Sequence, residues 1–187
     1  NSGDLDTQLR LANVSGSNAS VRVFIGGVEM PGSPFTLAAG ESTRKSFTVN
    51  NGPVQIMSTQ NIVTAERVIY KVNGVNTSFT EMMALPHGQS DNINLLPWYN
   101  NSAGVNTQLR IANVSNTNAS LRVFIGGVEM SGSPFTLAAG TTIGKSYAVN
   151  NGPVRIVSSQ KIVATARVIY FPNGTPVSFT ELMALPN

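Results

Sequence analysis

Shifted by 100 positions, the sequence falls onto itself without a gap. Thr7-Gln8-Leu9-Arg10 becomes Thr107-Gln108-Leu109-Arg110, and Arg22 to Met30 recurs unchanged as Arg122 to Met130. Ser33 to Gly40 recurs as Ser133 to Gly140, and Met83-Ala84-Leu85-Pro86 as Met183-Ala184-Leu185-Pro186. Solenoid units repeat every 20–50 residues or so, whereas a hundred-residue period is about the length of a domain. The chain is therefore read as two beads of one design. Asn1-Ser2 aligns with Asn101-Ser102, so Leu95 to Asn100 would have its counterpart before residue 1. This phase leads us to expect a longer polypeptide with further copies.

Each copy alternates as half-buried strands do. Leu9 and Leu11 alternate with Gln8 and Arg10, Val21, Val23 and Ile25 with Arg22, Lys45, Phe47 and Val49 with Ser46 and Thr48, and Val54 and Ile56 with Gln55. Val68 and Tyr70 share one face, as do Phe79, Met83 and Leu85. Turn signals separate these runs: Ser15-Gly16-Ser17-Asn18, Gly26-Gly27, Pro31-Gly32-Ser33, Ala39-Gly40, Asn50-Asn51-Gly52-Pro53 and Asn73-Gly74. No segment carries a helical apolar stripe. The expected fold is all-β: two tandem immunoglobulin-like antiparallel β-sandwich modules, with about seven strands in each copy. The expected boundaries are 1–87 for the first repeat and 106–187 for the second, with an inter-repeat linker over 88–105.

That linker is unusual, because Leu95, Leu96, Trp98 and Tyr99 need burial and a flexible linker would be polar. Two readings stand side by side. In one, these four residues pack between modules or subunits and set their orientation. In the other, the segment is a strand of one sandwich.

The text of the repeat resembles a known kind of protein. The Thr-Gln-Leu-Arg-(Leu/Ile)-Ala-Asn-Val-Ser opening, the Val-Phe-Ile-Gly-Gly-Val-Glu-Met block, the Val-Asn-Asn-Gly-Pro-Val run and the Leu-Pro-Trp-Tyr-Asn-Asn junction are similar to tandem repeats in large secreted or cell-surface proteins of environmental bacteria. The likeness covers nearly the whole chain and extends to subunits of glycosylated extracellular fibres. It implies an extracellular or cell-surface location and multiple copies, and it carries over no catalytic residue.

The residues themselves offer little catalytic chemistry. There is no cysteine, and the one histidine, His87, is replaced by Asn187 in the second copy. Triad chemistry and Cys or His metal sites therefore have no basis in the repeat. No calcium loop is spelled out, and Gly26-Gly27 lacks the lysine of a phosphate loop. Asp4 and Asp6 become Gly104 and Asn106. Glu29/Glu129 and Glu81/Glu181 persist in both copies, and paired carboxylates can cleave glycosides. Arg67/Arg167, however, lies on the strand expected beside Glu81/Glu181, and a partly buried Glu–Arg pair serving the fold is the reading we prefer. A Lys–Asn isopeptide crosslink through Lys45/Lys145, assisted by Glu81/Glu181, is a further reading. The plain alternative is a lysine at a strand end, its stem lying along apolar surface. No catalytic residue, metal ligand or cofactor is assigned, and an enzyme is not expected.

Charged residues make up only 11% of the chain and net charge is +3, so Asn, Ser, Thr and Gly must cover the surface. The basic residues are scattered, which excludes a nucleic-acid stripe, and no apolar run approaches a membrane span. Asparagine carries more information. Asn-X-Ser/Thr occurs seven times, at Asn13, Asn18, Asn76, Asn100, Asn113, Asn118 and Asn173, against about four expected from composition. Asn76 and Asn173 serve the same hairpin from different repeat positions, since Pro176 replaces Asn76 and Val75 replaces Thr175. The alternation Leu9, Leu11, Asn13 points Asn13 inward. Asn-rich turn chemistry is the competing explanation for the set.

The expected function is that of a structural subunit of an extracellular bacterial filament or surface array, built from tandem glycosylated β-sandwich repeats. Its partners would be copies of itself or further repeats, joined through strand edges or by lending segment 93–99 or the N-terminal arm 1–8. The alternative is a carbohydrate-binding or adhesive surface module, for which Trp98 and Tyr99 are the available aromatic platform.

Overall fold

The computed structural model describes residues 3–50, 52–150 and 152–187. Asn1 and Ser2, the counterparts of Asn101 and Ser102, lie outside these, as do Asn51 of the Asn50–Pro53 turn and its equivalent Asn151. The chain divides into two compact units, Asn1–Ala84 and Leu85–Asn187. Apart from one 3-10 turn at Pro172–Gly174, the described regular structure is entirely strand, paired antiparallel throughout, and forms an all-β sandwich.

In the first unit, β1 (Leu5–Asn13) lies between β5 (Ser42–Lys45) and β7 (Ile62–Val72), and β7 pairs on its other side with β8 (Val75–Met83). A second sheet centres on β2 (Ala19–Ile25). One edge of β2 takes β3 (Val28–Glu29) and β4 (Phe35–Leu37) in succession, and the other takes β6 (Val54–Ser58). The alternation explains why the sheets face each other. Leu9 and Leu11 of β1 and Ala19, Val21 and Val23 of β2 are buried in one cluster with Met30 and Leu37, while Ser20 and Arg22 stand in solvent. Each such Leu or Val contributes about 1.5–3 kcal/mol by leaving water.

Turn chemistry sets the hairpins. Gly26 and Gly27 both have positive φ, 60° and 80°, as a two-residue turn between β2 and β3 requires. Gly52 answers a different demand. A Cβ there would stand 2.7 Å from the Gly26 backbone, where the Gly26 N–H reaches the Pro53 carbonyl at 3.0 Å.

The second unit repeats this plan in the same register. β10 (Val105–Asn113) pairs with β14 (Thr142–Lys145), and β11 (Ala119–Ile125) takes β12 (Val128–Glu129) and β13 (Phe135–Leu137). Two features are new. β15 runs unbroken from Val154 to Tyr170, with its first half on β11 and its second on β10, whereas β6 and β7 are separate strands. Along its outer edge β15 carries β9 (Asp91–Leu96) as well as β16 (Ser178–Met183), and β17 (Leu185–Pro186) pairs with the far side of β9. The second unit thus has nine strands and the first has eight among the described residues. Segment 91–101, within the stretch read as a linker, is built into the sheet and core of the second unit. Residues 5–8 of the supposed N-terminal arm belong to β1, where they pair with Arg67 to Tyr70. These four residues are thus part of the first unit's own sheet, and Asn1 and Ser2 of the arm lie outside the described residues.

Candidate assembly site

The segment Asp91–Asn101 closes one side of the second unit. β9 pairs Leu96 with Val154, Leu95 with Arg155, Asn94 with Ile156 and Ile93 with Val157; after a register shift, Asp91 pairs with Ile162. Asn94 and Leu96 point into the core, and the Asn94 Nδ2 donates to the Asp91 carbonyl at 3.1 Å. Pro97 follows, which cannot donate to a ladder and ends the strand.

Tyr99 is the anchor. Its ring is 0% exposed, 6.4 Å from the Tyr147 ring and tilted against it. Its hydroxyl donates to the Thr107 carbonyl at 2.9 Å and accepts from the Tyr147 N–H at 2.6 Å. Burial pushes the phenol pKa up, so it remains a neutral donor. Asn101 ties the same elements together. Its Nδ2 donates to the Tyr147 carbonyl at 2.7 Å, and its Oδ1 accepts from the Thr107 N–H at 2.5 Å. Thr107 is fully buried beneath this network.

Of the four residues assigned to packing, Leu96 and Tyr99 are thus buried within the second unit, Leu95 is half-buried, and Trp98 is 38% exposed. An aromatic sugar platform made of both Trp98 and Tyr99 is ruled out by this geometry, because the Tyr99 ring faces the core.

The corresponding positions of the first unit are more exposed. Among the described residues, β6 is paired with β2 alone. Val54 is 38% exposed where Val154 is 1%, and Met57 is 50% exposed. Ile56 is only half-buried where Ile156 is completely so, and Thr7 is partly exposed where Thr107 is sealed. Val54, Ile56 and Met57 thus flank the β6 edge, Val54 and Ile56 on one face and Met57 on the other.

The persistent acidic residues are each matched with an arginine of their own unit. Arg22 grips Glu29 through Nε at 2.9 Å and Nη2 at 2.5 Å, and Arg122 grips Glu129 the same way. Arg67 donates to Glu81 at 2.7 Å, and Arg167 to Glu181 at 2.9 Å. Hydrogen bonds from these arginines hold the Glu29, Glu81 and Glu129 carboxyls below their ordinary range. A glycosidase acid needs the opposite shift. Lys45 and Lys145 place their ammonium groups over the Phe35 and Phe135 rings, at 4.3 and 4.4 Å, while Glu81 and Glu181 are held by arginines. The isopeptide reading required the lysine and the glutamate to act on one bond, and each is engaged with a different neighbour.

The sequon asparagines separate into two kinds. Asn13 and Asn113 are buried, and each Nδ2 donates twice: Asn13 to the Ser17 and Leu37 carbonyls at 2.8 and 3.0 Å, Asn113 to those of Thr117 and Leu137 at 2.8 and 3.1 Å. Ser15 and Ser115 return hydrogen bonds to the Oδ1 atoms. These amides brace the turn, and in the folded state their nitrogens are closed to attachment. Asn18, Asn118, Asn76 and Asn173 stand exposed. Asn18 and Asn118 use only Oδ1, accepting from the Ala39 and Ala139 N–H groups. Asn173 has φ of 57° in the hairpin turn. Asn100 is half-buried, its Oδ1 taken by the Ser102 hydroxyl.

No helix of the described residues is long and apolar enough to cross a membrane, and these residues contain no group of three or more His, Cys, Asp or Glu able to hold a metal. No family model matches the chain, and neither a curated protein nor a solved structure is significantly similar to it. The hydrogen-bond network of Tyr99, Asn101, Thr107 and Tyr147 is the feature that the sequence reading missed; its only signal was the apolar Leu95-Leu96-Pro97-Trp98-Tyr99 run, which needs burial.

Proposed function

We propose that the chain is a structural repeat of an extracellular bacterial filament or surface array, whose partners are copies of itself or further repeats and whose exposed Asn18, Asn76, Asn118 and Asn173 carry glycans. The observation that supports this reading best is the reuse of one sandwich in a single register, with the strand that completes the second unit supplied by the segment leading into it. Such a module propagates by adding strands, and main-chain hydrogen bonds provide generic affinity while side-chain pockets provide register. A surface of Asn, Ser, Thr and Gly with few charges suits close packing or glycan cover. Nucleophile, acid and base roles find no support in carboxylates already neutralised by arginine.

Electron microscopy of the native extracellular material, together with intact mass of the subunit, tests the proposal. Filaments or ordered arrays, with added mass at the exposed sequons, are the expected result. Discrete, unmodified particles of the calculated mass would overturn it. Of the two residues read as an aromatic platform, the adhesive reading retains Trp98, and a glycan array is its test.

A further inference from the structure

The sheet formed by β5, β1 and β7 in the first unit carries a cleft of about 450 Å³. Register defines its outer wall. Arg10 pairs with Arg44 and Ala65, and Ala12 with Ser42 and Val63, so these six side chains share the face opposite to Leu9 and Leu11. We infer that this cleft is a binding site for an acidic sugar, which it holds by the sugar's carboxylate or sulfate group between Arg10 and Arg44. The site lies within a single unit and does not depend on how the chain assembles.

The two cations are brought together by the fold. Arg10 and Arg44 stand directly opposite each other on neighbouring antiparallel strands, and like charges so placed destabilise the pair. Arginine keeps its charge at any physiological pH. Among the described residues neither guanidinium makes a hydrogen bond or an ion pair. The Arg10 Nε is sealed against the sheet, which leaves the terminal Nη nitrogens as the donors within reach of a ligand. The Arg10 charge is felt at Glu81, but Arg67 already holds that carboxylate. The other arginines are all engaged: Arg22, Arg67, Arg122 and Arg167 with glutamates, Arg110 with the Gln108 amide at 3.1 Å, and Arg155 with the Phe124 ring.

The second unit shows the same face without the pair. Gly144 replaces Arg44, and the Arg110 guanidinium lies over it, its Nη1 3.0 Å from where a Cβ would stand. Thr142 and Thr165 replace Ser42 and Ala65, so more bulk stands on that face. In the first unit Ala12, Val63 and Ala65 make a small apolar floor on which the C–H face of a sugar ring packs, with Ser42 beside it. Guanidinium forks take carboxylates and tetrahedral oxyanions by paired N–H···O bonds. The volume is that of a small-molecule site, about 300–1,000 Å³, and leaves room for the body that bears the oxyanion.

The test is titration of the full chain with two acidic probes, trigalacturonate and a sulfated galactose trisaccharide, read by calorimetry and by amide and arginine side-chain NMR. Saturable binding of at least one probe, at one site per chain, is expected. Shifts should appear at Ala12, Val63, Ala65 and the Arg10 side chain, and affinity should fall as salt rises. Arg44→Gly installs the residue that the second unit carries in the same register. It should weaken binding at least about tenfold, the scale of one lost charge-assisted hydrogen bond. Ala65→Thr, again the second unit's residue, should weaken it as well and is the variant to read should Arg44→Gly lose its native circular dichroism. Failure of both acidic probes to bind, equal affinity for the neutral galactose trisaccharide or for inorganic sulfate, or binding unchanged in the variants would overturn the inference.

Discussion

Tyr99→Phe is the sharpest perturbation of the closing segment. It keeps the buried ring and removes one oxygen. The Tyr147 N–H loses its acceptor in this buried site, and the Thr107 carbonyl keeps only the longer bond from the Ser146 hydroxyl at 3.2 Å. Leaving such groups unsatisfied costs about 1–3 kcal/mol. Tyr99→Ala also removes the ring and opens a cavity, and truncation of a buried aromatic costs about 3–5 kcal/mol. At a urea m-value of about 2 kcal/mol/M, these losses lower the unfolding midpoint by about 0.5–1.5 M for Phe and about 1.5–2.5 M for Ala. The assay has its reporter in place, since the only tryptophan of the chain, Trp98, is the neighbouring residue. Its fluorescence follows the second unit. Hydrogen exchange at Val21 and Val23 in the first unit serves as the control and should not change. A midpoint that moves by less than about 0.2 M in Tyr99→Ala would refute the claim that this segment is integral to the second sandwich.

Asn113→Ala removes an amide that braces the Ser115–Thr117 turn from inside, and should lower stability by about 2–3 kcal/mol in thermal or urea unfolding. Asn118→Ala, at an exposed turn, should cost under about 1 kcal/mol in the same assay. Gly152→Ala drives a Cβ to 2.5 Å from the Gly126 nitrogen at a φ of 137°, so a loss of about 2 kcal/mol or more is expected, whereas Gly127→Ala meets open space and is strained by φ alone. Acid should weaken the fold through Glu29 and Glu81, whose carboxyls are held low mainly by hydrogen bonds from Arg22 and Arg67. A depressed folded-state pKa gives stability that is present above the unfolded value of about 4.3 and is lost as pH falls through the folded value. Carboxyl NMR titration should find both midpoints below the ordinary glutamate range, and Arg22→Gln should return that of Glu29 to it.

Much of this architecture was legible in local pattern. Period-two alternation placed Leu9, Leu11, Val21 and Val23 on inward faces, because successive side chains on a strand point to opposite sides whatever the strand's partner. The same alternation turned Asn13 inward, and Arg67 met Glu81 from the neighbouring strand. The hundred-residue period gave two like units because the same local preferences, read twice, lead to the same hairpins. Pairing partners were not legible, because hydrogen bonds between strands join residues far apart in sequence and any exposed edge offers the same donors and acceptors. Ile93 to Leu96 therefore looked equally like a linker or a strand, and only the Leu96–Val154 register and the Tyr99 hydroxyl between Thr107 and Tyr147 decided it. Seven sequons looked alike in one dimension, and burial separated Asn13 and Asn113 from the exposed sites. The sequence by itself determined strands, faces and the repeat. Tertiary structure decided which strand closes which unit, because that choice depends on a groove assembled from residues more than forty positions apart, as Tyr99 and Tyr147 are.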